Sequence, residues 1–352
     1  DSTPAPELFP IVRGLCSYYI VRGQMTRADE LARQCLQVAE RAGRADLRID
    51  ALSVAAYPAM YLGRLADATQ LAEQALALYA AEQGQRFTWA VPQDPATAAW
   101  SLLTTTAWMQ GDLPRADAAG AALLSHLQRL GRPFDTAYGT VWLAGSCQLQ
   151  RRFTAALQHG QTGLGVAQQH GLGTWVPAAW MQLCIAGGAL APSAESIATL
   201  QQVHQAFLQA GAEVSATFYG CGLAQAQLRA GDTAAARATI AAALARADTG
   251  QETYMRAELL LLSAATQTDA AAADADLQAA LADAEHQGAL TVALRAAARR
   301  VLHDGRDDVA CTRAHEALTV IDGGDTAGLA ADWVARQLAL LRPAPATLMA
   351  AD

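Results

Sequence analysis

At 352 residues, 52% hydrophobic and 16% charged, the chain can bury more core than one compact domain needs, so a barrel or a repeat array is implied. All 25 basic residues are Arg, and a chain without Lys has no P-loop lysine, Schiff-base lysine or kinase-type lysine. A net charge of −8 with dispersed Arg excludes a phosphate-neutralising face and hence nucleic acid. No apolar run reaches membrane-span length, and six scattered Cys without a CxxC read as reduced and cytoplasmic.

The predicted elements follow one plan: an apolar helix, a tight turn, then an Ala-rich helix. The first turn falls at Gly23, with Thr26 and Asp29 as a capping pair, and Ala28, Ala32 and Cys35 on one face of the helix that follows. Glycine at such a turn can take the left-handed conformation that closes the preceding helix. The second turn is Gly63, followed by Ala68, Ala72 and Ala75; Pro58, inside the helix before it, should bend that helix and widen a groove. An insertion at 80–95 carries Phe87, Trp89, Val91 and two prolines, and should fold over the groove or dock on the next repeat. Asp94-Pro95 then starts a helix as cap and first-turn proline. Further turns follow at Gly111, at Arg151 in place of Gly, near Leu190, at Gly231, near Thr268 and at Gly305, about forty residues apart. Ala116, Ala156 and Ala236 again lie five residues past a turn, where small side chains let paired helices approach closely. Residues 306–341, with Trp333, Leu338, Leu340 and Leu341, should close the end of the core, and 343–352 should be a disordered tail.

These turns and small-residue positions resemble the tetratricopeptide repeat, with a longer period. Longer repeats of this kind resemble the sensor superhelix of the maltose-type transcription regulators. In order along 50–341 come Gly63-Arg64-Leu65-Ala66-Asp67-Ala68, Gln93-Asp94-Pro95, Trp108-Met109-Gln110-Gly111-Asp112, Tyr254-Met255-Arg256-Ala257-Glu258-Leu259 and Leu294-Arg295-Ala296-Ala297. This series resembles the C-terminal helical-repeat tail of bacterial multidomain signalling ATPases, many of which carry a class III adenylate or guanylate cyclase domain. In the family the Ala257-Glu258-Leu259 stretch continues toward a lysine, which this chain lacks. The resemblance implies neighbouring catalytic domains rather than activity in these residues.

Other chemistry is weaker. Cys311 and His315 share a helix face beside Asp307 and Asp308, but no second pair completes a metal site. Gly163-Leu164-Gly165 and Gly171-Leu172-Gly173 follow no strand and read as loosening a helix and its end. His303-Asp304 and scattered Glu residues make no convincing acid–base pair, although a helical toroid hydrolase is a distant alternative.

The reading is therefore an all-α solenoid of about eight antiparallel helix pairs over 1–342, a tetratricopeptide-like right-handed superhelix without cofactor, metal or catalytic residues. It should be a sensor or interaction domain of a bacterial signalling protein. Its concave groove should take a peptide, a partner protein or a neighbouring domain, or alternatively a sugar-like small molecule stacked on aromatics. Groove positions thirteen, ten, six, three and two residues before each turn select Arg13, Ser17, Tyr57, Tyr61, Ser101, Trp108, Tyr138, Gln148, Phe218, Gln225 and Arg229, with Trp89 added from the insertion.

Overall fold

In the computed structural model, residues 6–250, 252–326 and 328–342 are described; the tail expected at 343–352 lies outside them. Among the described residues there is no strand, and seventeen α-helices form eight antiparallel pairs with one closing helix. The pairs are α1 (Phe9–Val21) with α2 (Met25–Ala42), α3 (Ala45–Tyr61) with α4 (Leu65–Ala81), α5 (Pro95–Met109) with α6 (Leu113–Leu130), and α7 (Pro133–Leu149) with α8 (Phe153–Gln169). They continue with α9 (Trp175–Leu190) and α10 (Ala194–Gln209), α11 (Ala216–Arg229) and α12 (Thr233–Gly250), α13 (Arg256–Ala264) and α14 (Ala270–Gln287), and α15 (Leu290–Asp304) and α16 (Asp308–Gly323). Helix α17 (Trp333–Leu341) closes the stack, burying Val334, Leu338 and Leu341 and leaving Leu340 exposed.

Local chemistry sets these boundaries. Asp94 accepts from the Ala96 and Thr97 amides ahead of Pro95 and so starts α5. Asp112 accepts from the Arg115 amide and starts α6. Ala28, Ala68, Ala116, Ala156 and Ala236 are all fully or nearly fully buried, as expected of small residues where paired helices approach closely. Gly163 corrects an expectation. A Cβ there would lie 2.8 Å from Val141 Cγ2 and 2.9 Å from Thr140 Oγ1, so this glycine brings α8 tightly onto α7 rather than loosening a helix.

Contacts far apart in sequence then wind the solenoid onto itself. The Val21 carbonyl at the end of α1 accepts from the Glu213 and Val214 amides, at 2.8 and 3.1 Å, in the loop leading into α11. The Tyr61 carbonyl ending α3 accepts from Thr253 and Tyr254, at 2.8 and 3.2 Å, ahead of α13. The Trp108 carbonyl ending α5 accepts from Thr291 Oγ1 in α15. Arg152, just after α7, donates to the Gly324 carbonyl at 3.1 Å, ahead of α17. Each of the first three pairs therefore meets the first helix five pairs on, or the loop leading into it, and the fourth meets the loop ahead of the closing helix. At Gly23 the backbone takes φ +67°, and a Cβ would sit 3.0 Å from Glu213 Cβ, so both the turn and the stacking of one winding on the next favour glycine. The concave groove becomes a lumen walled by two windings.

Candidate functional site

The first helices of the pairs wall the lumen, and a cavity of about 400 Å³ lies within it. Its wall comes from α1, α3, α7, α9 and α11, with Thr105 of α5, Phe207 of α10, Ala212, Val214 and Ser215 of the loop that follows it, Tyr254 ahead of α13, and Val91, Pro92 and Gln93 of the insertion. One side is a continuous aromatic band. Tyr57 meets Trp142 edge-on at 5.7 Å between ring centres, Trp142 meets Tyr138 at 6.1 Å, and Tyr138 meets Trp175 edge-on at 5.0 Å. Trp175 meets Phe134 at 6.0 Å. On another side Tyr61 packs edge-on against Tyr254 at 5.1 Å, and its hydroxyl is 2.8 Å from Ser215 Oγ.

Charge is almost absent from this wall. Among the described residues its one ionisable cation is Arg13, buried and donating from Nε to Asp50 Oδ1 at 2.7 Å and from Nη1 to Ser17 Oγ. Gln93 donates to the Tyr57 hydroxyl at 3.1 Å, tying the insertion to the band. Behind Ser215 lies Glu252, whose Oε2 accepts from Thr217 N and Oγ1, both at 2.9 Å, and whose Oε1 accepts from Ser215 N. Burial nonetheless pushes Glu252 up to about 7. Burial also raises the Tyr57 and Tyr61 hydroxyls above their ordinary range, and pushes the Cys16 and Cys35 thiols up to about 12, so these groups stay protonated near neutral pH.

Of the residues selected from sequence, Arg13, Ser17, Tyr57, Tyr61, Tyr138 and Phe218 line the cavity. The others lie elsewhere. Trp108 is 2% exposed, covered by the Arg295 guanidinium at 5.0 Å from its ring centre; it belongs to the core between two windings. Ser101 is buried and donates within α5 to the Thr97 carbonyl at 2.8 Å. Gln148 donates to Gln182 Oε1 at 2.8 Å and, with Gln225, lines a second, much smaller cavity of about 20 Å³. Arg229 lies over the Phe153 ring at 5.6 Å. Trp89 stacks on Tyr79, 6.0 Å between ring centres, and donates to Asp94 Oδ2 at 3.2 Å, away from the lumen. Trp108 is taken up by the next winding through Arg295, whereas Gln148 is taken up by Gln182 of the adjacent helix α9.

Sequence reasoning missed Trp142, Trp175, Phe134 and Tyr254. Trp142 falls between the chosen positions of α7, and Trp175 opens a helix whose turn has no glycine to fix the numbering. The insertion reaches the lumen, as one of its two expected placements has it, and also packs back on the preceding helix α4. Val91, Pro92 and Gln93 reach the cavity, while Phe87 and Trp89 pack on Tyr79. Asp94 anchors it, accepting from Tyr79 Oη at 2.9 Å, Trp89 Nε1 at 3.2 Å and its own helix amides, with His126 Nε2 3.1 Å away. Burial opposes ionisation of Asp94, yet His126, Tyr79 and the helix amide hold its carboxyl below the usual range.

A buried charge cluster clamps the windings beside the smaller cavity. Arg295 donates to Glu258 and to Asp322 Oδ1, the latter at 2.8 Å, and to the Leu149 carbonyl at 3.2 Å. Arg151 explains its own place at a glycine turn. It takes φ +61°, and from there its Nη1 donates to Gln225 Oε1 at 2.8 Å, with Glu258 3.9 Å and Asp322 3.8 Å away. Burial and the neighbouring Arg295 lower its pKa to about 10. Cys311 donates to the Arg306 carbonyl at 3.3 Å and His315 Nδ1 is 2.9 Å from the Cys311 carbonyl, so both groups are engaged with backbone. His303 and Asp304 group with Asp274 on the surface.

No family model matches the chain, and no curated protein matches it. It is similar to the crystal structure of NprR in complex with its cognate peptide NprX, at 16% identity over 80% of this chain and 81% of that one, with a TM-score of 0.45. A likeness that loose transfers no function. Among the described residues no helix is long and apolar enough to cross a membrane.

Proposed function

We propose that this chain is a sensor or interaction domain, without catalysis of its own, that takes a ligand into the lumen of its superhelix. The observation that carries the proposal is the aromatic cavity of about 400 Å³, within the size range of small-ligand sites. The ligand is a short peptide segment or the anchoring side chains of a protein partner. The aromatic wall of the cavity and its volume of about 400 Å³ favour a second reading, a free small molecule, whose size such a cavity matches. The sequence resemblance supports reading it as part of a bacterial, cytoplasmic signalling protein, beside an ATPase or nucleotide cyclase domain whose state it would report.

Tryptophan fluorescence titrated with short neutral peptides and, separately, with small neutral metabolites tests this. Trp142→Ala and Tyr57→Ala should weaken uptake by about 1–4 kcal/mol, the range of aromatic anchors. Melting temperatures should fall by only a few degrees for Trp142→Ala, whose side chain is partly exposed. Unchanged binding in both variants would place the site elsewhere.

A further inference from the structure

The lumen carries information about what fills it, and this inference rests on the function proposed above. Tyr138 and Trp175 both line the cavity. The Tyr138 hydroxyl and the Trp175 indole nitrogen are buried and have no hydrogen-bond partner in the protein. Tyr138 itself is only 4% exposed. Three other polar groups at the wall are engaged: Tyr57 with Gln93, Tyr61 with Ser215, and Ser146 Oγ donating to the Thr104 carbonyl at 2.9 Å. Buried donors left unmade cost free energy that a ligand acceptor recovers. An indole nitrogen can only donate and a phenol donates readily, so the missing partner is an acceptor.

Charge narrows the class further. Among the described residues the single cation at the wall, Arg13, is already neutralised by Asp50, and Glu252 behind Ser215 is held by three donors. A charged ligand would enter an apolar space without a free counterion, which is costly. Flat rings would instead lie against the band formed by Tyr57, Trp142, Tyr138 and Trp175. We infer that the lumen selects an uncharged, largely aromatic or apolar group bearing a carbonyl-type acceptor, received by the Tyr138 hydroxyl and the Trp175 N–H. Such a group can be a small aromatic ketone or amide, or the side chains and carbonyl of a short neutral peptide.

Calorimetry with matched probes on the full chain tests this. Benzophenone and diphenylmethane differ by the acceptor; diphenylacetate and diphenylmethylammonium add a charge. Benzophenone should bind, and Tyr138→Phe, which removes one oxygen, should weaken it about tenfold, the worth of one buried hydrogen bond. Trp175→Phe should do likewise, while diphenylmethane should bind each variant as it binds the parent. Both ions should bind at least a hundredfold more weakly than benzophenone. A capped dipeptide, N-acetyl-Phe-Phe-amide, separates the sources: tighter uptake than benzophenone assigns the acceptor to a peptide, weaker uptake to a free small molecule. The inference fails, with the site intact, if both neutral probes bind but neither variant separates them, or if an ion binds as well as benzophenone. If no probe binds and Trp142→Ala alters nothing, the lumen itself is not a ligand site and the proposed function falls with it.

Discussion

Trp108 and Arg295 show how a single side chain is assigned by the winding rather than by its own helix. The guanidinium covers the indole and joins the α5 winding to Glu258 and Asp322 of the next. Trp108→Ala should therefore cost about 3–5 kcal/mol of stability, the range for truncating a large buried aromatic, measured by urea unfolding, and should leave ligand uptake nearly unchanged. Arg295→Met should also cost roughly 3–5 kcal/mol, because it strands buried Glu258 beside a distant Arg151. Glu252 gives a pH signature. Its carboxyl titrates near about 4.3 when unfolded and near about 7 in the folded chain. The folded state thus holds the proton more tightly, so this contribution to stability is complete below the unfolded value. It is lost as pH rises through the folded one, by on the order of 3 kcal/mol. Asp94, Glu258 and Asp322, whose pKa values are lowered, act in the opposite direction only at more acidic pH. Burial lowers the pKa of His159 and His204, which adds stability as pH rises across the same window. The melting temperature of the parent minus that of Glu252→Gln should therefore fall between about pH 5.5 and pH 8; a difference that is level or rising would refute the assignment.

At the scale of elements, the helix pairs were legible and the cavity was only partly so. Gly23, Gly63, Gly111 and Gly231 mark their turns because a left-handed residue there needs no side chain, and Ala68 and Ala116 mark the helix behind because nothing larger fits. Ala68→Leu and Ala116→Leu should each destabilise by about 1–3 kcal/mol through overpacking, visible in urea midpoints, without altering uptake. Asp94 was legible as a cap, but its role as the anchor of the insertion depends on Tyr79, Trp89 and His126 meeting in space. Asp94→Ala should cost about 2–4 kcal/mol, the loss of a cap together with unpaired buried donors. It should also weaken uptake by releasing Val91, Pro92 and Gln93 from the cavity wall. A variant as stable as the parent would mean that the insertion is held by its aromatic packing alone.

For the whole molecule, the decisive contacts join residues such as Trp108 and Thr291, 183 positions apart, and leave no periodic trace along the chain. That is why Trp108 read as a groove residue in the sequence, while Trp175 and Tyr254 went unseen. The winding makes the lumen, and the lumen makes the binding site. Fluorine NMR of the chain labelled with 5-fluorotryptophan and titrated with benzophenone tests it most directly, because the seven Trp residues include both lumen and non-lumen positions. The account predicts saturable shifts of the Trp142 and Trp175 resonances, with Trp108, buried in the core, and Trp180, exposed on the outside, unmoved. Shifts confined to Trp180, or none at Trp142 and Trp175 while benzophenone binds, would contradict it.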